Sequence, residues 1–190
     1  MLHHEIGTHV VTYQNGARQP LKLLTIGLPG YDETQEGLAV LAEYLSGGLD
    51  PRRLRVLAAR VVAVDKMLDG ADFLDIFESL RTDHLMPRKT AWTIAARVTV
   101  AGGSVKDAIY LRGISRLLEA LAEGISLDAL FVGKLSLDHI PLIQDLLDRG
   151  VLQAPWVRPR WLDVPGAQER LDRLRAGASV TDLYEGYRSA

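Results

Sequence analysis

His3-His4-Glu5-Ile6-Gly7-Thr8-His9, followed about thirty residues later by Glu33-Thr34-Gln35-Glu36-Gly37-Leu38, are the two stretches from which the rest of this chain is read. Two imidazoles, His4 and His9, with the carboxylate of Glu5 next to the first, are what a protein needs to hold a zinc ion and activate a water on it. Catalytic zinc takes three protein ligands and keeps a fourth position open, so a third ligand must come from elsewhere. Glu36 is the candidate. Glu33 competes with it from three residues earlier on nearly the same helical face, although a first-turn carboxylate also suits the positive end of a helix.

The histidines stand five residues apart, whereas the familiar zinc-protease helix places them four apart on one face. At about 100° per residue, five α-helical steps turn the second ring roughly 140° away from the first. A π-type turn, which absorbs one extra residue, would return both rings to one side, and such bulges are frequent at functional sites. Gly7 lies inside the interval, where a missing side chain lowers the cost of distortion. A plainer reading is a solvated His-rich helix end or a tag remnant. Against a tag, the stretch runs straight into Ile6-Gly7-Thr8 and the apolar Val10 and Val11.

The 190 residues are enough for one domain with a sizeable core. At 47% hydrophobic, 24% charged and a net charge of −2, no field of one sign favours nucleic acid or a membrane surface as partner. The absence of cysteine excludes disulfides and thiolate metal sites, so any metal must use nitrogen and oxygen ligands. No apolar run reaches the roughly 18 residues of a membrane span, and a signal-peptide pattern is absent at the N-terminus, which makes the cytoplasm the default location.

Periodicity and stop signals predict a mainly α chain. The first helix should end near Asn15-Gly16, and a connector over 18–30 should be pinned by Leu21, Leu23, Leu24 and Ile26. A second helix should run from Asp32, as N-cap, to Ser46. Pro51 suits the first position of a helix over 50–69, and another follows over 71–85. A segment over 88–101 carries β-branched Thr93, Ile94, Val98 and Val100, so a strand competes there with a helix stopped by Gly102-Gly103. Helices follow from Ser104 to Glu123, over 126–134 and over 136–149. Residues 155–190 read as an extended, proline-containing tail with short helices.

A hydrolytic metal site acting on a peptide end also needs a cation for the substrate's carboxylate. Lys106, Tyr110 and Arg112 are candidates at one helix start, with Lys106 and Tyr110 four apart on one face. Lys106 as a solvated lysine and Tyr110 as a core-edge tyrosine is the competing reading. Arg97 and Tyr31 are weaker candidates; His3 points away from His4 on a helix, and His84 and His139 lie near helix ends with no ligand spacing to each other.

His4-Glu5-Ile6-Gly7-Thr8-His9, then Ala17-Arg18-Gln19-Pro20, Thr34-Gln35-Glu36-Gly37-Leu38-Ala39 and Lys106-Asp107-Ala108-Ile109-Tyr110-Leu111-Arg112-Gly113 resemble the microtubule-associated tyrosine carboxypeptidases, above all their bacterial QEGLA-motif branch. The resemblance implies His4, His9 and Glu36 as zinc ligands, Glu5 as general base, and a metallopeptidase that removes a residue from a peptide or protein C-terminus. Family members carry a long segment before the first motif and often Arg-Gly-Gly where this chain has Ala101-Gly102-Gly103. The 190 residues are therefore expected to be the helical C-terminal portion of a larger catalytic domain, completed by an N-terminal half or by self-association. The alternative is a non-catalytic zinc-binding or regulatory module.

Overall fold

The structure, a computed structural model, describes residues 2–100 and 105–185. Among the described residues every regular element is helical, so the chain is mainly α. It falls into two compact units, Met1–Leu49 with Arg112–Ala190, and Asp50–Leu111.

The first unit opens with a continuous rod in three geometries: α1 (Leu2–His4), a π-helical segment Glu5–Val10, and α2 (Val11–Arg18). The π geometry that the five-residue spacing demands is present. The expected stop at Asn15-Gly16 is not, because both residues face neighbouring backbone instead of ending the helix. Asn15 is buried and donates to the carbonyls of Phe131 at 2.8 Å and Val157 at 2.9 Å, while accepting from the Val157 N–H at 2.9 Å. A Cβ on Gly16 would stand 2.3 Å from the Leu24 carbonyl oxygen, so glycine here permits a close crossing. That carbonyl belongs to α3 (Leu23–Ile26), a single turn within the connector. Only Leu24 of the four expected apolar anchors is buried; Leu21, Leu23 and Ile26 are exposed, since one helical turn presents only one side to the body.

α4 (Tyr31–Leu45) is capped by Gly30 in the left-handed conformation, and Asp32, the expected cap, sits in its first turn. Leu38, Ala39, Val40, Leu41, Ala42 and Leu45 have no exposed surface, the pattern of a helix covered on all sides.

The second unit contains α5 (Pro51–Leu68), α6 (Phe73–Thr82), α7 (Arg88–Val100), a 3-10 turn Val105–Ala108 and the start of α8 (Ile109–Ala122). Pro51 occupies the first turn of α5 behind Asp50, whose carboxylate accepts the Arg52 N–H at 2.7 Å. Asp72 and Asp75 form a capping box on α6. The segment with β-branched residues is helical because Ala91, Ile94, Ala95 and Val98 bury one stripe among Ala63, Ile76, Phe77 and Leu80, and tertiary packing outweighs local preference. The Gly102-Gly103 stop and the Ser104 start lie outside the described residues.

In the first unit, α8 from Arg112 onward crosses α4 at glycine against glycine. A Cβ on Gly37 would stand 2.5 Å from the Gly113 carbonyl carbon, and one on Gly113 would stand 2.1 Å from the Glu33 carbonyl oxygen. Then come α9 (Leu127–Leu130), a 3-10 turn Leu137–His139 leading into α10 (Ile140–Asp148), a second 3-10 turn Arg160–Asp163, α11 (Ala167–Arg175) and α12 (Val180–Glu185). Trp161 is fully buried, edge-on to Phe131 at 5.7 Å, whereas Trp156 is exposed beneath the Arg18 guanidinium. No helix among the described residues is long and apolar enough to cross a membrane.

Candidate metal centre

A π turn takes up one residue more than an α turn, so His4 and His9 project to the same side of the first rod. Their ring centroids are 5.4 Å apart, with the planes at 78°. Glu36, in the second turn of α4, places Oε2 3.4 Å from His4 Nε2 and 3.9 Å from His9 Nε2. One ligand atom from each of the three lies within 4.8 Å of the other two, and no other trio of acidic or histidine side chains among the described residues converges in this way.

The second nitrogen of each ring is held. His4 Nδ1 donates to Glu43 Oε1 at 2.8 Å, and His9 Nδ1 donates to Gln35 Oε1 at 3.4 Å. Gln35 Oε1 also accepts from Thr12 Oγ1 at 2.7 Å. With both Nδ1 atoms committed, each Nε2 turns toward Glu36, the arrangement in which a partner fixes the tautomer and orientation of a ligating histidine. Sequence reasoning missed Glu43, Gln35 and Thr12. The available signal was periodic: Glu43 follows Glu36 by seven residues, two helical turns, and so shares its face.

The residues fit a cation. Glu36 Oε2 is buried and makes no hydrogen bond, a costly state for a carboxylate oxygen unless a positive group faces it. Two nitrogens and an oxygen are a donor set that zinc accepts. The Glu36 carboxylate first, and Glu43 second, push the His4 pKa up to about 9 against the opposing effect of burial. In the metal-free chain a proton therefore sits where a cation would otherwise balance these carboxylates. Glu5 lies on the open side, 61% exposed, its Oε1 4.0 Å from His4 Nε2.

Glu33 is drawn away from this trio. Arg112 Nε donates to its Oε2 and Arg116 to its Oε1 at 3.1 Å, and Arg116 also binds Asp138 at 2.6 Å. The structure thus brings Glu36, and not Glu33, to the histidines, and it engages the Arg112 side chain that was a candidate for substrate. Lys106 and Tyr110 belong to the second unit. Lys106 is exposed there, and the half-buried Tyr110 ring lies under the guanidinium groups of Arg53 and Arg60, at 6.0 and 5.7 Å. Arg97 is tied to the buried carboxylate of Asp107 by two bonds, at 3.0 and 2.8 Å. His84 is exposed, and His139 Nδ1 accepts the Ser136 N–H at 3.2 Å.

Gly7 has a reason beyond a distorted helix. A Cβ on it would stand 2.8 Å from Trp161 Cδ1, and its carbonyl accepts the Trp161 indole N–H at 3.0 Å. The absent side chain makes room for the tryptophan that supports the π segment.

Two imidazoles and a carboxylate, His4 buried and His9 and Glu36 half-buried, thus converge beside the exposed carboxylate of Glu5, a donor set of the kind that holds a divalent cation. The chain belongs to the microtubule-associated tyrosine carboxypeptidase family, whose model matches residues 1–179. Membership implies carboxypeptidase-type activity in general. The comparison with curated proteins yields no match.

Proposed function

We propose that this chain is a zinc-dependent peptidase of the bacterial QEGLA-motif branch, hydrolysing the last peptide bond of a chain with a free C-terminus. His4, His9 and Glu36 would hold the zinc. The observation that carries this reading is the convergence of the two Nε2 atoms on the buried, unbonded Glu36 Oε2. When bound, zinc supplies Lewis acidity, polarising a carbonyl and lowering the pKa of water.

The protein's own groups do the rest. When the two imidazoles are neutral, Glu43 and Gln35 accept from Nδ1 and so favour the tautomer that leaves Nε2 for the metal. Glu5, at the open side of the trio, takes a proton from the attacking water as its oxygen bonds to the scissile carbon. It then passes that proton to the amine nitrogen as the carbon–nitrogen bond breaks. Glu5 is the exposed carboxylate beside His4, whereas Glu36 and Glu43 reach the ring from α4 and are largely covered.

The test is elemental analysis of the purified chain with assay of Glu5→Gln on peptides ending in a free carboxylate. One zinc per chain should be retained in Glu5→Gln, with hydrolysis lowered by roughly 10²–10⁴-fold, the effect of a positioned acid–base group. Undiminished hydrolysis in that variant would remove Glu5 as base, and a chain without zinc would remove the reading as a whole.

A further inference from the structure

A carboxypeptidase must recognise a terminal carboxylate, and of the three residues suggested from sequence one, Arg112, already holds Glu33. The first unit contains another cation in a different setting. Lys134 lies in the turn between α9 and α10 and is half-buried. Its Nζ stands 5.7 Å from the ring centroid of Tyr13 and 5.6 Å from that of Tyr31. Among the described residues it forms no ion pair with any carboxylate.

The two tyrosines locate this ammonium relative to the metal centre. Tyr13 follows His9 by four residues on the same rod, hence one turn further along the same face, a rise of about 6 Å. Tyr31 begins α4, the helix that carries Glu36. Lys134 thus stands against one tyrosine from each of the two helices that supply the metal ligands, Tyr13 four residues after His9 and Tyr31 five residues before Glu36. Its backbone is clamped: its N–H donates to the Leu24 carbonyl at 2.8 Å, and its carbonyl accepts the Leu28 N–H at 3.0 Å. Next to it, a Cβ on Gly133 would stand 2.7 Å from both the Leu24 carbonyl oxygen and Cβ, so this turn lies tight against α3. The neighbouring Leu137 N–H is fixed to Thr34 Oγ1 of α4 at 3.0 Å.

We propose that Lys134, held between Tyr13 and Tyr31, receives the terminal carboxylate of the peptide substrate. This rests on the peptidase reading above. A positioned ammonium with no carboxylate of its own offers a charge-assisted hydrogen bond to an incoming one. The aromatic faces on two sides stabilise the cation and restrict the water around it. The clamped backbone fixes the base of the side chain, and the two rings favour the rotamers that hold the ammonium between them. Specificity for a free C-terminus then follows from charge: an amidated end leaves the ammonium unpaired.

The experiment uses the zinc-loaded chain and two N-acetylated tetrapeptides ending in tyrosine, one with a free carboxylate and one amidated. Parent, Lys134→Met, Lys134→Gln and Lys134→Arg are compared in zinc content, direct peptide binding, KM and kcat. The neutral variants should keep one zinc but lose about 10–100-fold in affinity and kcat/KM for the free acid, the size of one lost charge-assisted hydrogen bond. The loss should fall mainly in KM, leave the amide unchanged, and be restored in part by Lys134→Arg. Neutral variants that retain zinc and still distinguish acid from amide as the parent does would overturn the assignment of Lys134 while leaving the peptidase standing. A zinc-loaded parent that neither binds nor cleaves the free acid would instead overturn the peptidase reading itself.

Discussion

His4 Nδ1 donates to Glu43 Oε1 at 2.8 Å across 39 residues of sequence, and that bond decides which nitrogen His4 presents to Glu36. A carboxylate can only accept, so in the neutral imidazole that binds metal the proton sits on Nδ1 and the lone pair on Nε2. Glu43→Gln should therefore lower zinc affinity by about 10–100-fold, as loss of an outer partner of a ligating histidine does. Competition with a chromogenic chelator measures it. An unchanged affinity would mean that His4 needs no such orienting partner.

Glu33 and Glu36 lie one turn apart and have different partners, so they should respond differently to truncation. Glu36→Ala is expected to abolish stoichiometric zinc. Glu33→Ala should retain it and instead release Arg112, while Arg116 keeps its bond to Asp138. Elemental analysis of the two variants side by side decides the third ligand, and zinc kept by Glu36→Ala alone would reverse the assignment.

The α4–α8 crossing leaves no room for a methyl group. Gly113→Ala would set its Cβ against the Glu33 carbonyl, and backbone cannot swing aside as a flexible side chain can. A loss of about 1–3 kcal/mol or more is expected from overpacking of this kind. Denaturant unfolding measures it, and a variant as stable as the parent would show that the helices separate at little cost.

Gly7→Ala tests the support behind the π segment. The new methyl group would press on Trp161 and displace the indole that binds the Gly7 carbonyl. Both thermal stability and zinc affinity should fall, because the rod that aligns His4 with His9 loses its backing. Stability lost without any change in affinity would confine Trp161 to packing.

Without metal, the chain should be less stable at high pH. The folded-state pKa of His4 is raised from 6.5 to about 9, so the fold binds this proton more tightly than the unfolded chain does. The resulting stability is fully present below pH 6.5 and disappears as pH rises through about 9. Zinc should reverse the trend, since His4 binds metal only when neutral. Unfolding of chelator-treated protein at pH 6 and pH 9.5, repeated with zinc, measures both slopes; equal apo stability at the two values would contradict the raised pKa.

What can be read from the sequence is local or periodic. His4 and His9 are five residues apart on one rod, so both can serve one ion only through a π-type turn; Asp50-Pro51 and Asp72 mark helix starts through their own backbone chemistry; and Glu36 is a candidate third ligand beside Glu33, favoured by the family resemblance. The choice between Glu36 and Glu33 belonged to the tertiary structure, because it depends on where α8 crosses α4 and so on which carboxylate meets Arg112 and Arg116. The partners of the histidines, the indole behind Gly7 and the lysine between two tyrosines likewise join residues 26 to 154 positions apart or on different helices. No periodicity encodes such pairs. They arise when glycine-lined crossings let backbones approach closely enough for particular side chains to meet, and that closeness is a property of the packed helices together.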